Sequence, residues 1–255
     1  MGSIEVVGSI IVAIVMLGVI YRFGSGATYI GRYEVGILTR RIGKTMPSGQ
    51  VIARNGEVGI QADTMMPGIY WLNPLIWKIE KEQITTIGET EIGTIESIDG
   101  EPIPTGRLLG DAIECNQFQD AKMFLDGGGK KGPQTAILRP GAYRINTKVF
   151  KVTKHPVTKI EEEHIGIVVA VDGQPLPSGY IIAPKPENDE HKYYQDGQLF
   201  IANGGYRGPQ LDTLQPGEYY INPLLFKVKQ YEVAEVPPGY VAVLRSKHSH
   251  ISNVV

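Results

Sequence analysis

Two hydrophobic patterns divide this chain. From Val6 to Tyr21 there is no charged residue, and Ile4 to Phe23 is an apolar run whose only charges, Glu5 and Arg22, stand at its ends. A run of about 20 such residues has the length of a transmembrane helix. Val6, Ile10, Ile11, Val12, Ile14, Val15, Leu17, Val19 and Ile20 are the expected anchor residues. Beyond it, apolar and polar residues alternate with period two in short stretches bounded by Gly, Pro and Asn, the pattern of half-buried strands.

Those stretches repeat. Met66-Pro67-Gly68-Ile69-Tyr70-Trp71-Leu72-Asn73-Pro74 returns as Arg139-Pro140-Gly141-Ala142-Tyr143-Arg144-Ile145-Asn146-Thr147 and as Gln215-Pro216-Gly217-Glu218-Tyr219-Tyr220-Ile221-Asn222-Pro223. Strand-like runs open each unit at Tyr33–Ile37, Thr90–Thr94 and Glu163–Ile167, and again at Pro238–Ala242. Taking Gly36, Gly93, Gly166 and Gly239 as equivalents gives spacings of 57, 73 and 73 residues. A block recurring at such periods marks an array of small units. The first unit is the short one, because Cys115–Gln134 and Tyr194–Gln210 have no counterpart in it. Phe118, Ala121, Phe124 and Leu125 before Gly127, and Tyr194, Phe200 and Ile201 before Gly204, predict a short amphipathic helix in each added segment.

Within a unit the chemistry of the residues predicts antiparallel β. The pairs Pro67-Gly68, Pro140-Gly141 and Pro216-Gly217 suit the centre of a type II turn, since Pro presets the first φ and Gly accepts a positive second one. In the strand that follows, Tyr70 and Leu72, Tyr143 and Ile145, and Tyr219 and Ile221 alternate with Trp71, Arg144 and Tyr220. Alternation puts the first set on the core face and makes Trp71, Arg144 and Tyr220 candidate interface residues. Asn73, Asn146 and Asn222 close the strands, where a local side-chain hydrogen bond ends pairing. A second turn signal, Asp99–Gly106, recurs as Asp172–Gly179 and in short form as Met46–Gly49. The expected fold is mainly β with short helices: an anchor over 1–24, β units over 25–88, 89–161 and 162–235, and the start of a fourth over 236–255.

Around the apolar run, no Lys or Arg precedes it while Arg22, Arg32, Arg40 and Arg41 follow, which predicts a single-pass cell-membrane protein with its β array in the cytoplasm. A cleaved signal peptide is the rival reading; Gly24-Ser25-Gly26-Ala27 would suit its cleavage, but it needs a positive leader where this chain has Glu5. The single Cys115 forbids an internal disulfide and agrees with a reducing compartment. A net charge of −2 gives no electrostatic footprint for nucleic acid.

Candidate chemistry is sparse, and neither a catalytic set, a cofactor site nor a metal site is expected. Gly127-Gly128-Gly129-Lys130-Lys131-Gly132 lacks the order of a phosphate loop, and its counterpart Asn203–Gly208 argues for a helix C-cap and turn. His248 and His250 are two imidazoles without a third ligand. Glu161–His164 and Glu187–His191 put acids beside histidine, as solvated loops do. Trp77 is expected in the core.

An apolar N-terminal segment, then Tyr33–Lys44, then Gln61-Ala62-Asp63-Thr64 leading to Pro67–Tyr70, and Gly205–Gln210 before the third turn together resemble bacterial flotillin-like members of the stomatin/prohibitin/flotillin (SPFH, band 7) superfamily. The small β units are also similar to the repeats of vault-shell proteins. The resemblance implies a non-enzymatic membrane scaffold, forming large homo-oligomeric rings or cages and organising other membrane proteins. Its implied partners are the lipid bilayer, copies of itself and other membrane proteins. The family's long Ala/Glu-rich coiled-coil segments have no counterpart in residues 1–255, which implies a piece of something longer. The alternative is a membrane-tethered binding or regulatory module for a protease or transporter.

Overall fold

The computed structural model describes residues 3–24, 26–185, 190–243 and 245. The N-terminal run is helical, α1 (Ser3–Gly24), and the side chains of Ile10, Ile11, Val12, Ile14, Val15, Leu17, Val19 and Ile20 are exposed. Val6 lies outside the described side chains, as do His248 and His250. No helix among the described residues is long and apolar enough to cross a membrane. The expected transmembrane helix, and with it the single-pass localisation, is therefore corrected.

Each of the three units repeats one arrangement of strands. Unit 1 contains β1 (Ala27–Ile30), β2 (Glu34–Arg40), β3 (Gly59–Met65), β4 (Gly68–Trp71) and β5 (Trp77–Gln83). Unit 2 contains β6 (Thr85–Ile87), β7 (Glu91–Ser97), α2 (Ala121–Asp126), β8 (Gly132–Leu138), β9 (Gly141–Tyr143) and β10 (Phe150–Pro156). Unit 3 follows with β11 (Thr158–Ile160), β12 (His164–Ala170), α3 (Gly197–Ala202), β13 (Gly208–Pro209), β14 (Gly217–Tyr219) and β15 (Phe226–Glu232). In each, the long second strand is central in a three-stranded antiparallel sheet, β3-β2-β5, β8-β7-β10 or β13-β12-β15. The short first strand pairs with the strand after Pro-Gly, as β1-β4, β6-β9 and β11-β14. So β6 and β11, which precede residues 89 and 162, join the sheets of the unit that follows them.

Two turn expectations need correction. Gly68, Gly141 and Gly217 have φ of 158°, 159° and 151°, far from the roughly +80° of a type II turn, and each is the first paired residue of its strand. The left-handed turn glycines are instead Gly49, Gly106 and Gly179, at φ 87°, 90° and 88°. There a Pro carbonyl accepts from the amide three residues on: Pro47 from Gln50, Pro104 from Arg107, Pro177 from Tyr180. Gly239 is the same kind of residue, at φ 88° with Tyr240 N donating to Pro237 O. That turn matches those opening β2, β7 and β12, where Glu34, Glu91 and His164 donate three residues back. The position equivalent to Gly36, Gly93 and Gly166 is therefore Ala242. No strand follows Glu232 among the described residues.

The added segments differ from their expected limits as well. Gln61, Gln134 and Gln210 are equivalent, each donating from Nε2 to the carbonyls four and two residues back. The insertions thus end before Gln134 and Gln210. The expected helices are present as α2 and α3, capped by Asp120 and Asp196. Before each lies a left-handed turn of three non-glycine residues, Asn116-Gln117-Phe118 and Lys192-Tyr193-Tyr194, with φ between 50° and 64°. Such residues cost energy; here the turn drives Phe118 and Tyr194 into the core. His191 is buried beneath it, stacked on Tyr194, and not in the solvated loop its acidic neighbours suggested.

Two cores result, and each is shared between units. Phe118, Phe124 and Phe150 meet edge to face in the first, whose outer wall is Ile52 and Ala62 of unit 1. Tyr194, Phe200 and Phe226 form the second, with Leu109 of unit 2 joining them.

Candidate assembly interfaces

The recurring geometry of this array lies in the joints between its units, which are built from the same ties twice. Asp99 of unit 2 accepts at Oδ2 from the amides of Val51 and Ile52 of unit 1, at 3.0 and 2.8 Å. Asp172 of unit 3 accepts likewise from Leu108 and Leu109 of unit 2, at 3.0 and 2.9 Å. Each Asp precedes a glycine that no other residue replaces easily. A Cβ on Gly100 would stand 2.3 Å from Gly129 O, and one on Gly173 2.4 Å from Gly205 O. The sequence showed these Asp-Gly pairs only as turn signals.

The strand-closing asparagines bridge the same joints. Each makes the expected local bond, Leu75, Lys148 or Leu224 N donating to Asn73, Asn146 or Asn222 Oδ1. Two also reach backwards: Asn146 Nδ2 donates to Gln61 O and Ala62 O at 3.0 and 3.2 Å, and Asn222 Nδ2 to Gln134 O and Thr135 O at 3.1 and 2.9 Å. Both asparagines are buried, so these bonds satisfy backbone carbonyls that water does not reach.

The three candidate interface residues take different places. Arg144 is half-buried, its Nη2 donating to Arg32 O of unit 1 at 3.0 Å. Tyr220 is half-buried, its hydroxyl donating to Glu89 O of unit 2 at 3.1 Å, with the Arg139 guanidinium 5.6 Å from its ring. Trp71 of unit 1 is 69% exposed. Trp77, expected in the core, is half-buried with Arg40 stacked on it at 5.3 Å.

Electrostatics separate the two joints. Burial opposes the charge on Asp172, but the amides of Leu109, Leu108 and Gly173 and the Arg107 guanidinium outweigh it, holding the carboxyl below the usual carboxylate range. Arg107 also pairs with Asp111 at 3.0 Å. In the first joint Gln50 stands where Arg107 stands, and the charges lie elsewhere, with Lys148 of unit 2 3.3 and 3.4 Å from Glu80 and Glu82 of unit 1.

Unit 1 presents a different surface outward. At matched positions it has Tyr29, Ile42, Ile69, Trp71 and Leu75, all exposed, where unit 2 has Thr86, Asp99, Ala142, Arg144 and Lys148. Unit 3 differs at its matched floor position. Leu211 is 60% exposed, whereas the equivalent Ala62 and Thr135 are each 1% exposed beneath the next unit.

Other chemistry is thin. No cluster of three or more His, Cys, Asp or Glu that could hold a metal occurs among the described residues. Burial pushes the Cys115 thiol up, away from the reactive thiolate. Gly127–Gly129 is a helix C-cap, with Gly127 and Gly129 N donating to Met123 and Phe124 O. A cleft of about 420 Å³ beside the second joint is lined by Thr105, Arg107, Gln174 and Arg207. No family model matches the chain, and no curated protein matches it.

Proposed function

We propose that this protein is a non-catalytic scaffold that assembles with copies of itself into large homo-oligomers. The observation that carries this reading is the twice-repeated joint: Asp to paired amides and Asn to paired carbonyls, with Trp71 of unit 1 and Leu211 of unit 3 exposed at the matched positions. Contacts made this way bury complementary backbone groups, which suits assembly. The resemblance to flotillin-like proteins supports the same reading by analogy and adds other proteins as clients of the scaffold.

Native mass separates this from a binding or regulatory module. The purified chain is expected to run as a homo-oligomer well above 28.0 kDa, growing with concentration in sedimentation velocity. A monomer throughout the micromolar range would defeat the scaffold and favour the module.

A further inference from the structure

We infer that the cleft beside the second joint binds a phosphate group, free or carried by a small ester, which ties unit 2 to unit 3 when bound. The inference is independent of the scaffold reading and holds for one copy or many. The cleft, about 420 Å³, is lined by Thr105 and Arg107 from unit 2 and by Gln174, Pro175, Ile201 and Arg207 from unit 3. Arg107 donates from Nε to both carboxylate oxygens of Asp172 and from Nη1 to Asp111, while its Nη2 is buried without an acceptor. A buried donor of that kind marks a place where folded proteins ordinarily supply a partner. Arg207 is exposed, and neither its guanidinium, the Thr105 hydroxyl nor the Gln174 carboxamide has a hydrogen bond or ion pair among the described residues. Asp172 and Asp111 are taken up by Arg107, so Arg207 has no carboxylate of its own.

The first joint has at the same place what the second lacks. There Gln50 stands for Arg107, Lys131 for Arg207 and Glu101 for Gln174. Glu101 and Gln174 lie against equivalent glycines, 3.7 Å from a Cβ on Gly128 and 3.4 Å from one on Gly204. The Glu101 carboxylate accepts from Lys130 Nζ at 2.5 Å, so the first joint supplies its own anion. In the second, Tyr206 replaces Lys130, the cations are both arginine, and the carboxylate has become a neutral carboxamide. Charge complementarity therefore selects an anion as the occupant. Two guanidiniums with a hydroxyl and a carboxamide suit an oxyanion with several acceptor oxygens, because the planar fork of Arg matches the edge of a phosphate with parallel N–H bonds. Among the described residues no aromatic side chain lines the cleft, so a small ester fits it better than a stacked nucleobase.

Isothermal titration calorimetry of the whole chain, with ionic strength held constant by sodium chloride, tests this with inorganic phosphate and glycerol 3-phosphate as probes. Saturable binding at one site per chain is expected, and the tighter of the two probes identifies the ion or the ester as occupant. Arg207→Gln should weaken it about tenfold or more, the worth of hydrogen bonds to a charged group. Gln174→Glu, which installs the residue that the first joint has there, should abolish binding, and Lys131→Gln in the first joint should leave it unchanged. All three side chains are exposed, so melting temperatures without probe should hold. Hydrogen exchange should show the bound probe slowing the Leu108 and Leu109 amides of the second joint and not those of Val51 and Ile52 in the first. Failure of both probes to bind saturably would overturn the inference. So would binding that survives both Arg207→Gln and Gln174→Glu, which would make it adventitious. Tighter binding of succinate than of either probe would also overturn it, putting a carboxylate in place of the phosphate.

Discussion

The joint between units 1 and 2 and the joint between units 2 and 3 use the same backbone ties and different charges. Asp99 meets its two amides without an arginine, and Asp172 meets an equivalent pair with Arg107 added at 3.1 Å. The first joint instead places Lys148 against Glu80 and Glu82 at its edge. The shared part is what the fold requires; the ion pairs vary because partly exposed pairs contribute little.

That comparison breaks hardest in the cores. Phe150→Ala and Phe226→Ala should each cost about 3–5 kcal/mol, but at different addresses. Hydrogen exchange should show the first loosening units 1 and 2, since Ile52 and Ala62 wall the same core, and the second sparing unit 1. Equal loss of protection across residues 27–232 in both variants would mean that the units do not respond separately.

Next come the carboxylates. Asp99→Ala and Asp172→Ala each leave two amides of the preceding unit without an acceptor, about 3 kcal/mol in chemical denaturation, and Asp172→Ala should be the worse by up to about 1 kcal/mol for the lost ion pair with Arg107. Acid should act on the second joint in the same direction. With its folded pKa depressed, Asp172 stabilises at pH values above the unfolded pKa of about 4. That contribution fades as pH falls further, through the folded value. Amide exchange at Leu108 and Leu109, followed downward from pH 5, should accelerate beyond its intrinsic rate, and Asp172→Asn should abolish that dependence.

Asn146→Ala and Asn222→Ala should cost about 1–3 kcal/mol each and match one another, because both joints use that tie alike. Asn73→Ala in the monomer should stay within about 0.5 kcal/mol. The smallest effect sharpens the comparison: Arg107→Gln installs the residue that unit 1 has there, Gln50, and should lower stability by about 1 kcal/mol or less. A larger drop would show that the ion pair, and not the amides, holds the second joint.

Much of the β architecture was legible because period-two alternation and turn residues are local signals. Tyr143 and Ile145 went inward and Trp71 outward as the alternation predicts, and α2 and α3 fell where their apolar spacing put them. The Pro-Gly glycines misled, since a strand start and a turn can share the same dipeptide. Gly239 misled for a related reason, being a turn residue three positions before its true equivalent. The left-handed turns at Asn116–Phe118 and Lys192–Tyr194 were illegible, because only the core that accepts Phe118 and Tyr194 makes their conformation tolerable. Of the joints between units, Arg144 and Tyr220 could be read from alternation, but Asp99, Asp172 and the backward reach of Asn146 and Asn222 are tertiary facts. Their signal was present only as recurrence at equivalent positions.

The shared cores give the chain a direction in time. The wall of the unit 2 core comes from Ile52 and Ala62, and that of the unit 3 core includes Leu109, so each core borrows from the unit before it and never from the one after. A ribosome delivers these parts in the same order, and domains fold as they emerge. Unit 1, with no helix insert and no borrowed wall, can form first and stand as the template on which unit 2 condenses; unit 2 then does the same for unit 3.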